Sequence, residues 1–125
     1  MKLYQYNLIY FVRDKVTKLI KIGQTKVDIN NRIKELQTGS PDILELIGVT
    51  FETYTSESEL HSKFTKYRKH GEWFLPSEDI IEYINQHCFK DLTSTYIAYN
   101  EINAGRISYE KVVSMNKSEL FGYTI

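Results

Sequence analysis

Two short apolar runs, each only a few residues long, most constrain the fold of this chain. Residues 8–12 (LIYFV) and 19–23 (LIKIG) are rich in β-branched and aromatic residues, and a polar segment of six residues separates them. This composition predicts two strands, and a connection of that length favours an antiparallel hairpin. The chain therefore begins its fold with a hairpin whose second strand ends at Gly23.

The register of this hairpin decides which side chains share a face. If Val12 pairs with Leu19, then Tyr10 lies directly opposite Lys21 and both side chains point to one side of the sheet. A slip of one residue would place them on opposite sides. This register predicts that the Lys21 ammonium lies beside the Tyr10 phenol, where a positive charge would favour ionisation of the phenol.

A helix and a third strand are predicted to follow the hairpin. Asp28 is a good N-cap, and Thr38 to Pro41 would end the helix. Its core-facing positions follow the helical spacing i, i+4 and i+7, namely Ile29, Ile33 and Leu36. Residues 43–53 are mostly apolar and predict a third strand, with Gly48 as a candidate bulge.

Two more helices are predicted in residues 56–88. The first begins at Ser56 and ends at Gly71, and the residues of its core stripe are Leu60, Phe64 and Tyr67. Trp73 and Phe74 then form a short extended segment. The second helix begins after the capping residue Ser77, and its buried face comprises Ile80, Ile81, Ile84 and Cys88. The resulting order, β-β-α-β-α-α, is that of an α+β domain.

Charge and cysteine content narrow the class of protein. The net charge of the 125 residues is zero, but residues 1–40 hold eight Lys and Arg against three Asp and Glu, so their net charge is +5. The basic half thus carries the hairpin. A single cysteine allows no intrachain disulfide and favours a reducing, cytoplasmic compartment with a buried, unreactive thiol. No apolar run is long enough for a transmembrane helix, so no membrane partner is expected.

The C-terminal segment is predicted to be distinct from the domain that precedes it. Residues 1–88 are predicted to form one domain and residues 89–125 a helical extension of unknown role. The extension could pack on the domain, mediate a homodimer or target the protein. A helix-turn-helix over residues 94–116 is a further reading that rests on length and on Gly105 alone.

Four motifs in order give the chain a family resemblance. They are KIGQT at residues 21–25, RIKEL at 32–36, Glu59-Leu60-His61 with Phe64 beyond, and GEWF at 71–74. Together with Ile9-Tyr10 in the first strand, they resemble the GIY-YIG nuclease superfamily, in particular its small viral (phage) and bacterial branch. The resemblance covers about residues 8–84. It implies a three-stranded antiparallel sheet flanked by helices.

The resemblance also implies an activity and a site. It indicates a metal-dependent endonuclease (a hydrolase) that uses Mg²⁺ or Mn²⁺ to cut nucleic-acid phosphodiesters, DNA rather than RNA. Tyr10 would act on the attacking water, Arg32 would contact the phosphate and Glu59 would hold the metal ion. The chain departs from the family pattern in two places: Leu8 replaces the first glycine and Lys21 replaces the second tyrosine. Lys21 could instead lower the pKa of Tyr10.

Nucleic-acid contacts are expected from two groups of residues. The first continues the second strand and comprises Gly23, Gln24, Thr25 and Lys26; the second comprises Lys63 and Lys66 of a later basic cluster. Two other functions stay open. The domain could bind nucleic acid without cutting it, or it could be a protein-interaction module whose basic residues are simply solvated.

Each candidate residue also has an ordinary structural reading. Tyr10 could be a packed aromatic, and Arg32 could pair with Glu35 or Asp28. Glu59 lies three residues after Ser56, as in a capping box. The aromatic pair at residues 73–74 is predicted to belong to the core rather than to form a base-stacking platform.

Overall fold

The computed structural model describes residues 8–25, 29–51 and 55–90, together with Thr95 and residues 104–105. Within these ranges the protein is α+β, with a five-stranded antiparallel sheet and three α-helices. The strands are β1 (Leu8–Asp14), β2 (Ile20–Thr25), β3 (Leu44–Phe51), β4 (Arg68–His70) and β5 (Trp73–Phe74). The helices are α1 (Ile29–Thr38), α2 (Glu57–Lys63) and α3 (Glu78–His87). The strand order in the sheet is β3-β1-β2-β5-β4.

The predicted hairpin is present, but its predicted register is wrong by two residues. Val12 lies opposite Lys21, and Tyr10 lies opposite Gly23. The difference arises in the turn, where Oδ1 of Asp14 accepts hydrogen bonds from the backbone N–H groups of Val16 and Thr17 at 2.8 and 3.0 Å. This carboxylate closes a tighter turn than the six-residue loop that was expected. Because the shift is an even number, Tyr10 and Lys21 still share a face, as diagonal neighbours.

The sheet has five strands instead of the expected three. The helix predicted to reach Gly71 ends at Lys63, and after a short 3-10 turn at Thr65–Tyr67 the chain becomes β4. Gly71, at φ +52°, turns β4 back into β5, which pairs with β2. Pairing covers an edge of β2 that would otherwise expose unsatisfied backbone groups, and it buries Phe74 opposite Ile20. Helical spacing in the sequence alone could not predict this stabilisation, because it depends on the pairing of β5 with a distant strand.

The two faces of the sheet pack against different helices. One face buries the main core against α2 and α3, with the cluster Ile9, Phe11, Ile20, Ile22, Leu60, Phe64, Phe74, Ile80 and Ile84. The other face carries Tyr10, Lys21 and Gly23, because side chains alternate along a strand. Helix α1 lies on this second face: Ile29 is buried, and Ile33 and Leu36 are half-buried.

Helices α2 and α3 begin where serine caps were expected. The Ser56 hydroxyl accepts from the Glu59 N–H at 3.0 Å, and the Ser77 hydroxyl accepts from the Ile80 N–H at 3.2 Å. Helix α3 matches its prediction, with Ile80 and Ile84 buried. The pairing of β1 with β3 is irregular next to Gly48, as predicted. Burial raises the pKa of the Cys88 thiol, which agrees with an unreactive cysteine.

Several predictions fall outside the described residues. Asp28, Lys26 and almost all of the extension at 89–125, including its helix-turn-helix and dimer readings, lie there. Phe89 is described, and it forms a backbone bridge with Val49 of β3. In the described ranges, every helix is too short or too polar to cross a membrane.

Candidate functional site

Tyr10 and Gly23 fit each other across the β1–β2 pair. Tyr10 is fully buried as a residue, at the centre of β1. A Cβ atom on Gly23 would stand 2.3 Å from both Cζ and Oη of Tyr10. Real side chains do not approach so closely, so the tyrosine ring occupies the space that any other residue at position 23 would need. The glycine therefore sets where the Tyr10 hydroxyl lies.

Arg32 reaches that hydroxyl from α1. Its Nε atom donates to Oη of Tyr10 at 3.4 Å, a long hydrogen bond, and its Nη1 atom pairs with Glu35 at 3.1 Å. The bond to Tyr10 is the main cause of a raised pKa for Arg32. With 37% of its side chain exposed, the guanidinium can also meet a ligand from solvent. The expected pairing of Arg32 with Glu35 is confirmed, and it coexists with the tyrosine contact.

Lys21 lies on the same strand as Gly23 but contacts a carboxylate. Its ammonium group is 2.7 Å from Oε2 of Glu72, and only 13% of the side chain is exposed. The ammonium also lies 5.8 Å from the ring centroid of Trp73. The pair is partly buried, since the Lys21 end is enclosed while 40% of the Glu72 side chain is exposed, and this charge-assisted hydrogen bond holds Glu72 beside β2.

Helix α2 adds Glu57 and His61, which are one turn apart. Nε2 of His61 lies 2.9 Å from the Ile22 carbonyl, and 3.7 Å from Oε1 of Glu57. Because a carbonyl can only accept, Nε2 must carry the hydrogen in this contact. His61 thereby anchors α2 to β2 and keeps the Glu57 carboxylate close to the sheet.

Glu57 and Glu72 form a carboxylate pair. Burial and the neighbouring Glu72 carboxylate raise the pKa of Glu57. Burial also acts on Glu72, but hydrogen bonds with Lys21 and Glu57 outweigh it, so the pKa of Glu72 is lowered. Opposite shifts in two adjacent carboxyl groups are typical of a pair that shares a proton, and such pairs concentrate at functional sites.

The Tyr10–Arg32 contact and the carboxylate pair flank the same short piece of β2. Lys21 and Gly23 lie two residues apart on one face, which corresponds to about 7 Å along a strand. One residue contacts Glu72, and the other lies under Tyr10. This arrangement joins a guanidinium and a phenol, on the α1 face of the sheet, to two carboxylates that Lys21 and His61 hold beside β2. Chemically, it can bind a phosphate and manage a proton beside it.

The sequence comparison with known families decides what kind of domain this is. The model of the T5orf172 domain matches residues 7–88 of the chain, well over half of its length. The protein belongs to the T5orf172 domain family. This domain occurs in phage-type and bacterial endonuclease-like proteins, and it indicates a function related to nucleases or DNA binding. No curated protein and no solved structure matches the chain.

Within this T5orf172 domain, Glu59 lies apart from the other predicted site residues. It is exposed, and its carboxylate accepts from the Thr55 hydroxyl at 3.4 Å. Two positions along a helix turn a side chain by about 200°, so Glu59 points away from the direction of Glu57. Burial raises the pKa of Tyr83 on α3, with smaller contributions from Cys88 and Glu59.

The remaining predicted contact residues are dispersed. Gln24 and Thr25 continue β2 beyond Gly23, and both have interaction partners of their own. Lys63 and Lys66 lie in a groove between α2 and α3, together with Asp79 and Glu82. Lys63 lies over the Tyr83 ring, and Lys66 is 3.9 Å from Asp79. This groove is on the α2–α3 side of the T5orf172 domain, opposite the face that carries Tyr10.

Two carboxylates of the site, Glu57 and Glu72, were not predicted as site residues from the sequence. Glu57 and His61 have the i, i+4 spacing of helical neighbours, a signal that was present in the sequence. Glu72 offered no local signal, because its partner Lys21 is 51 positions away in the chain. Only the pairing of β5 with β2 brings them together.

The opposite pKa shifts of the carboxylate pair predict opposite effects of two substitutions. Because the pKa of Glu57 is raised above its ordinary 4.5, its stabilising contribution is present below that value and is lost as pH rises through the folded-state pKa. At neutral pH, Glu57→Gln should therefore stabilise the domain, by up to about 1 kcal/mol. Glu72→Gln should destabilise it, since the lowered pKa of Glu72 contributes stability at neutral pH that is lost on acidification.

Thermal melting at neutral pH and below pH 4.5 would measure both effects. The gain from Glu57→Gln should shrink in acid, and so should the loss from Glu72→Gln. A Glu57→Gln protein that melts below the wild type at neutral pH would contradict the assignment of Glu57 as the carboxyl disfavoured by its surroundings.

Proposed function

We propose that this T5orf172 domain is a metal-dependent endonuclease of the GIY-YIG type that hydrolyses phosphodiester bonds, with DNA as the substrate. The observation that carries the proposal is the contact between the Arg32 guanidinium and the Tyr10 hydroxyl above Gly23, on the face where Lys21 holds Glu72. A guanidinium, a phenol and carboxylates are the groups that phosphodiester hydrolysis needs close together.

Arg32 and Tyr10 would act directly on the substrate. The planar guanidinium suits two parallel hydrogen bonds to phosphate oxygens, and it would offset the charge that grows on them as water attacks. The Tyr10 oxygen already accepts a hydrogen bond from Arg32, so the guanidinium holds the hydroxyl beside the place where the phosphate would bind. The Tyr10 hydroxyl is buried in the free protein, so it would orient the attacking water or take its proton once substrate binding beside Arg32 opens a path to it. Water then bonds to phosphorus, the P–O3′ bond breaks, and a proton passes to the O3′ leaving group.

Lys21 is proposed as a positioning residue. Its ammonium is engaged with Glu72 at 2.7 Å, so its observed partner is the carboxylate rather than the Tyr10 phenol. From this place Lys21 keeps Glu72 ionised and pointed towards Glu57. The residue at the second family tyrosine position would thus organise the carboxylates of the site.

The carboxylate pair fits a divalent cation better than Glu59 does. Glu57 and Glu72 are close enough to share a proton, and a divalent ion could take the place of that proton. In the described ranges no three His, Cys, Asp or Glu side chains group as metal ligands, and Mg²⁺ is commonly held by only one or two carboxylates. We therefore assign Glu57, supported by Glu72, to Mg²⁺ or Mn²⁺. The bound ion would stabilise charge on the leaving oxygen.

Basic and polar residues beyond the site would hold the strand. Gln24, Thr25 and Lys26 follow Gly23 directly and would contact phosphates next to the scissile one. Lys63 and Lys66 would meet a more distant part of the nucleic acid, across the edge of the sheet. Such contacts are electrostatic and should weaken steeply with added salt.

A plasmid-nicking assay with Mg²⁺ or Mn²⁺ tests the proposal, and α2 supplies a matched pair of variants. Glu57→Gln should lower the nicking rate by about a hundredfold or more, because it removes a charged ligand from the site. Glu59→Gln changes the same chemical group two residues along and should leave the rate within about twofold. Equal loss in both variants, or loss in Glu59→Gln alone, would show that the metal glutamate is wrongly assigned. A wild-type protein that never nicks would refute the enzyme.

The ion pair of Lys21 with Glu72 favours one alternative, a T5orf172 domain that binds DNA without cutting it. In that case the carboxylate pair would be a structural link between β2, β5 and α2. The two functions differ in one readout. A binding module shows salt-dependent affinity for DNA with intact plasmid after long incubation with metal, whereas the enzyme converts the plasmid to its nicked form.

A further inference from the structure

A cleft beside the candidate site has the features of a base pocket. It has a volume of about 450 Å³ and lies between the β1–β2 turn, the end of α1 and the β4–β5 hairpin. Sites for small molecules commonly measure roughly 300–1,000 Å³. Lys21 lines this cleft, so the cleft adjoins the sheet face that carries Tyr10 and Gly23. We refer to it as the Trp73 cleft.

The walls of the Trp73 cleft combine an aromatic ring with apolar side chains. Trp73 is only half-buried, in contrast to its neighbour Phe74, which is fully buried. The prediction that both belong to the core is therefore confirmed for Phe74 and wrong for Trp73. Leu36 and Leu44 provide apolar walls. An indole that is open on one side, next to aliphatic walls, suits the flat face of a nucleobase.

Two carboxylates in the cleft are fixed in position. Oδ1 of Asp14 accepts from the backbone N–H groups of Val16 and Thr17, at 2.8 and 3.0 Å. These bonds, working against burial, lower the pKa of Asp14, so it is charged at neutral pH. Asp42 lies against it, and a hydrogen bond between the two carboxyl groups raises the pKa of Asp42. The backbone oxygen of Asp42 is itself held by Gln37 and Ser40, at 2.8 and 3.1 Å.

Fixed carboxylates select the kind of base that can enter. They accept hydrogen bonds, so they complement the amino groups of cytosine, adenine and guanine, each of which offers two N–H donors, whereas thymine offers a single N3–H between two carbonyl oxygens that only accept. They also repel phosphate, which leaves the sugar–phosphate backbone outside, near Lys21 and His70 at the rim. An enzyme that works on a nucleic-acid strand can draw an unpaired base into such a cavity by stacking and edge contacts.

We propose that the Trp73 cleft binds one unpaired, amino-bearing nucleobase of the strand whose phosphate lies at Tyr10 and Arg32. The base stacks on Trp73 and donates its amino hydrogens to Asp14 and Asp42. This proposal rests on the proposed function for the placement of the phosphate, but the cleft itself is independent of cleavage. It gives the domain a preference for bases beside the cut without contacts in a DNA groove.

The single tryptophan of the chain makes the proposal directly measurable. Short single-stranded oligonucleotides of deoxycytidine, deoxyadenosine or thymidine are titrated into the full protein, with chelator present so that no metal-dependent cleavage occurs. Selective excitation then reports on Trp73 alone. The cytosine and adenine strands should quench the Trp73 emission at concentrations at least about fivefold lower than the thymidine strand requires, because stacking on an aromatic ring accompanies binding.

Two variants with one control test the residues of the cleft. Asp42→Asn should remove the preference for cytosine and adenine strands over the thymidine strand. Glu82 is an exposed α3 residue outside the Trp73 cleft, and Glu82→Gln should keep that preference. Trp73→Leu should weaken binding of an end-labelled cytosine strand roughly tenfold, followed by anisotropy. Should Trp73→Leu fail to fold, the Asp42→Asn comparison decides alone.

The results separate the cleft from the nuclease. Strand binding by anisotropy with unchanged Trp73 emission would overturn the cleft, and so would equal quenching by thymidine or no binding of any strand. Those outcomes leave nicking, measured on plasmid, as a separate question. Quenching with the expected preference in a protein that never nicks would support the cleft and refute only the enzyme.

Discussion

Arg32→Ala is expected to lower the nicking rate by about a hundred- to a thousandfold while the protein stays folded. The guanidinium contacts the Tyr10 hydroxyl and is more than one-third exposed, with 37% of its side chain accessible. Its removal deprives the phosphate of a bidentate partner and Tyr10 of its cation at the same time. The loss should appear in kcat as well as in kcat/KM, because the charge on phosphate grows in the transition state.

Lys34→Ala is the matched control for Arg32→Ala. Lys34 lies on the same helix, is exposed, and should change the nicking rate by less than about twofold. Arg32→Lys should recover part of the lost rate, since it restores the charge but not the planar fork. If Arg32→Ala nicks as fast as Lys34→Ala, Arg32 does not contact the scissile phosphate.

Gly23→Ala is expected to destabilise the domain by about 2–3 kcal/mol, the upper part of the range for overpacking. The new Cβ would lie 2.3 Å from Cζ and Oη of Tyr10, and the ring cannot move freely because Tyr10 is fully buried. Either β1 and β2 separate or Tyr10 leaves its rotamer. For a domain of this size, the thermal midpoint should fall by roughly 4–8 °C per kcal/mol.

Gly39→Ala gives the control for the glycine substitution. A Cβ there would meet only the Leu36 carbonyl oxygen at 3.8 Å, an ordinary contact, so stability should change by less than about 0.5 kcal/mol. In a Tyr10→Ala background, Gly23→Ala should cost much less than in the wild type, since the clashing ring is gone. Equal costs in both backgrounds would mean that Tyr10 is not what position 23 must accommodate.

Patterning of apolar residues predicted most of the elements. The two strands, α1, the third strand and α3 lie where alternation and helical spacing placed them, because each buries its apolar side, α3 against the main core and α1 against the opposite face of the sheet. The same patterning overextended α2. Leu60, Phe64 and Tyr67 satisfy a helical stripe, but pairing a new strand with the edge of β2 is more favourable than about two further helical turns of mixed residues.

The candidate site was predicted in part, through residues close together in the hairpin. Tyr10, Lys21 and Gly23 share a face, as alternation required, although the pairing differs by two residues. The partner of Lys21 could not be read from the sequence, because Glu72 reaches it through β5. Whether Glu57 or Glu59 faces β2 likewise depends on how α2 is rotated on the sheet. The hydrogen bond between His61 and the Ile22 carbonyl fixes that rotation.

By itself, the sequence determined that a β hairpin, whose second strand contains Gly23, precedes a helix that carries Arg32, and that Tyr10 and Lys21 lie on one face. These are local consequences of side-chain alternation, turn chemistry and helical period. The tertiary structure decided which groups meet: Arg32 with Tyr10, Lys21 with Glu72, and Trp73 with a cleft instead of the core. Such contacts join distant parts of the chain, and their geometry is set by how strands and helices pack.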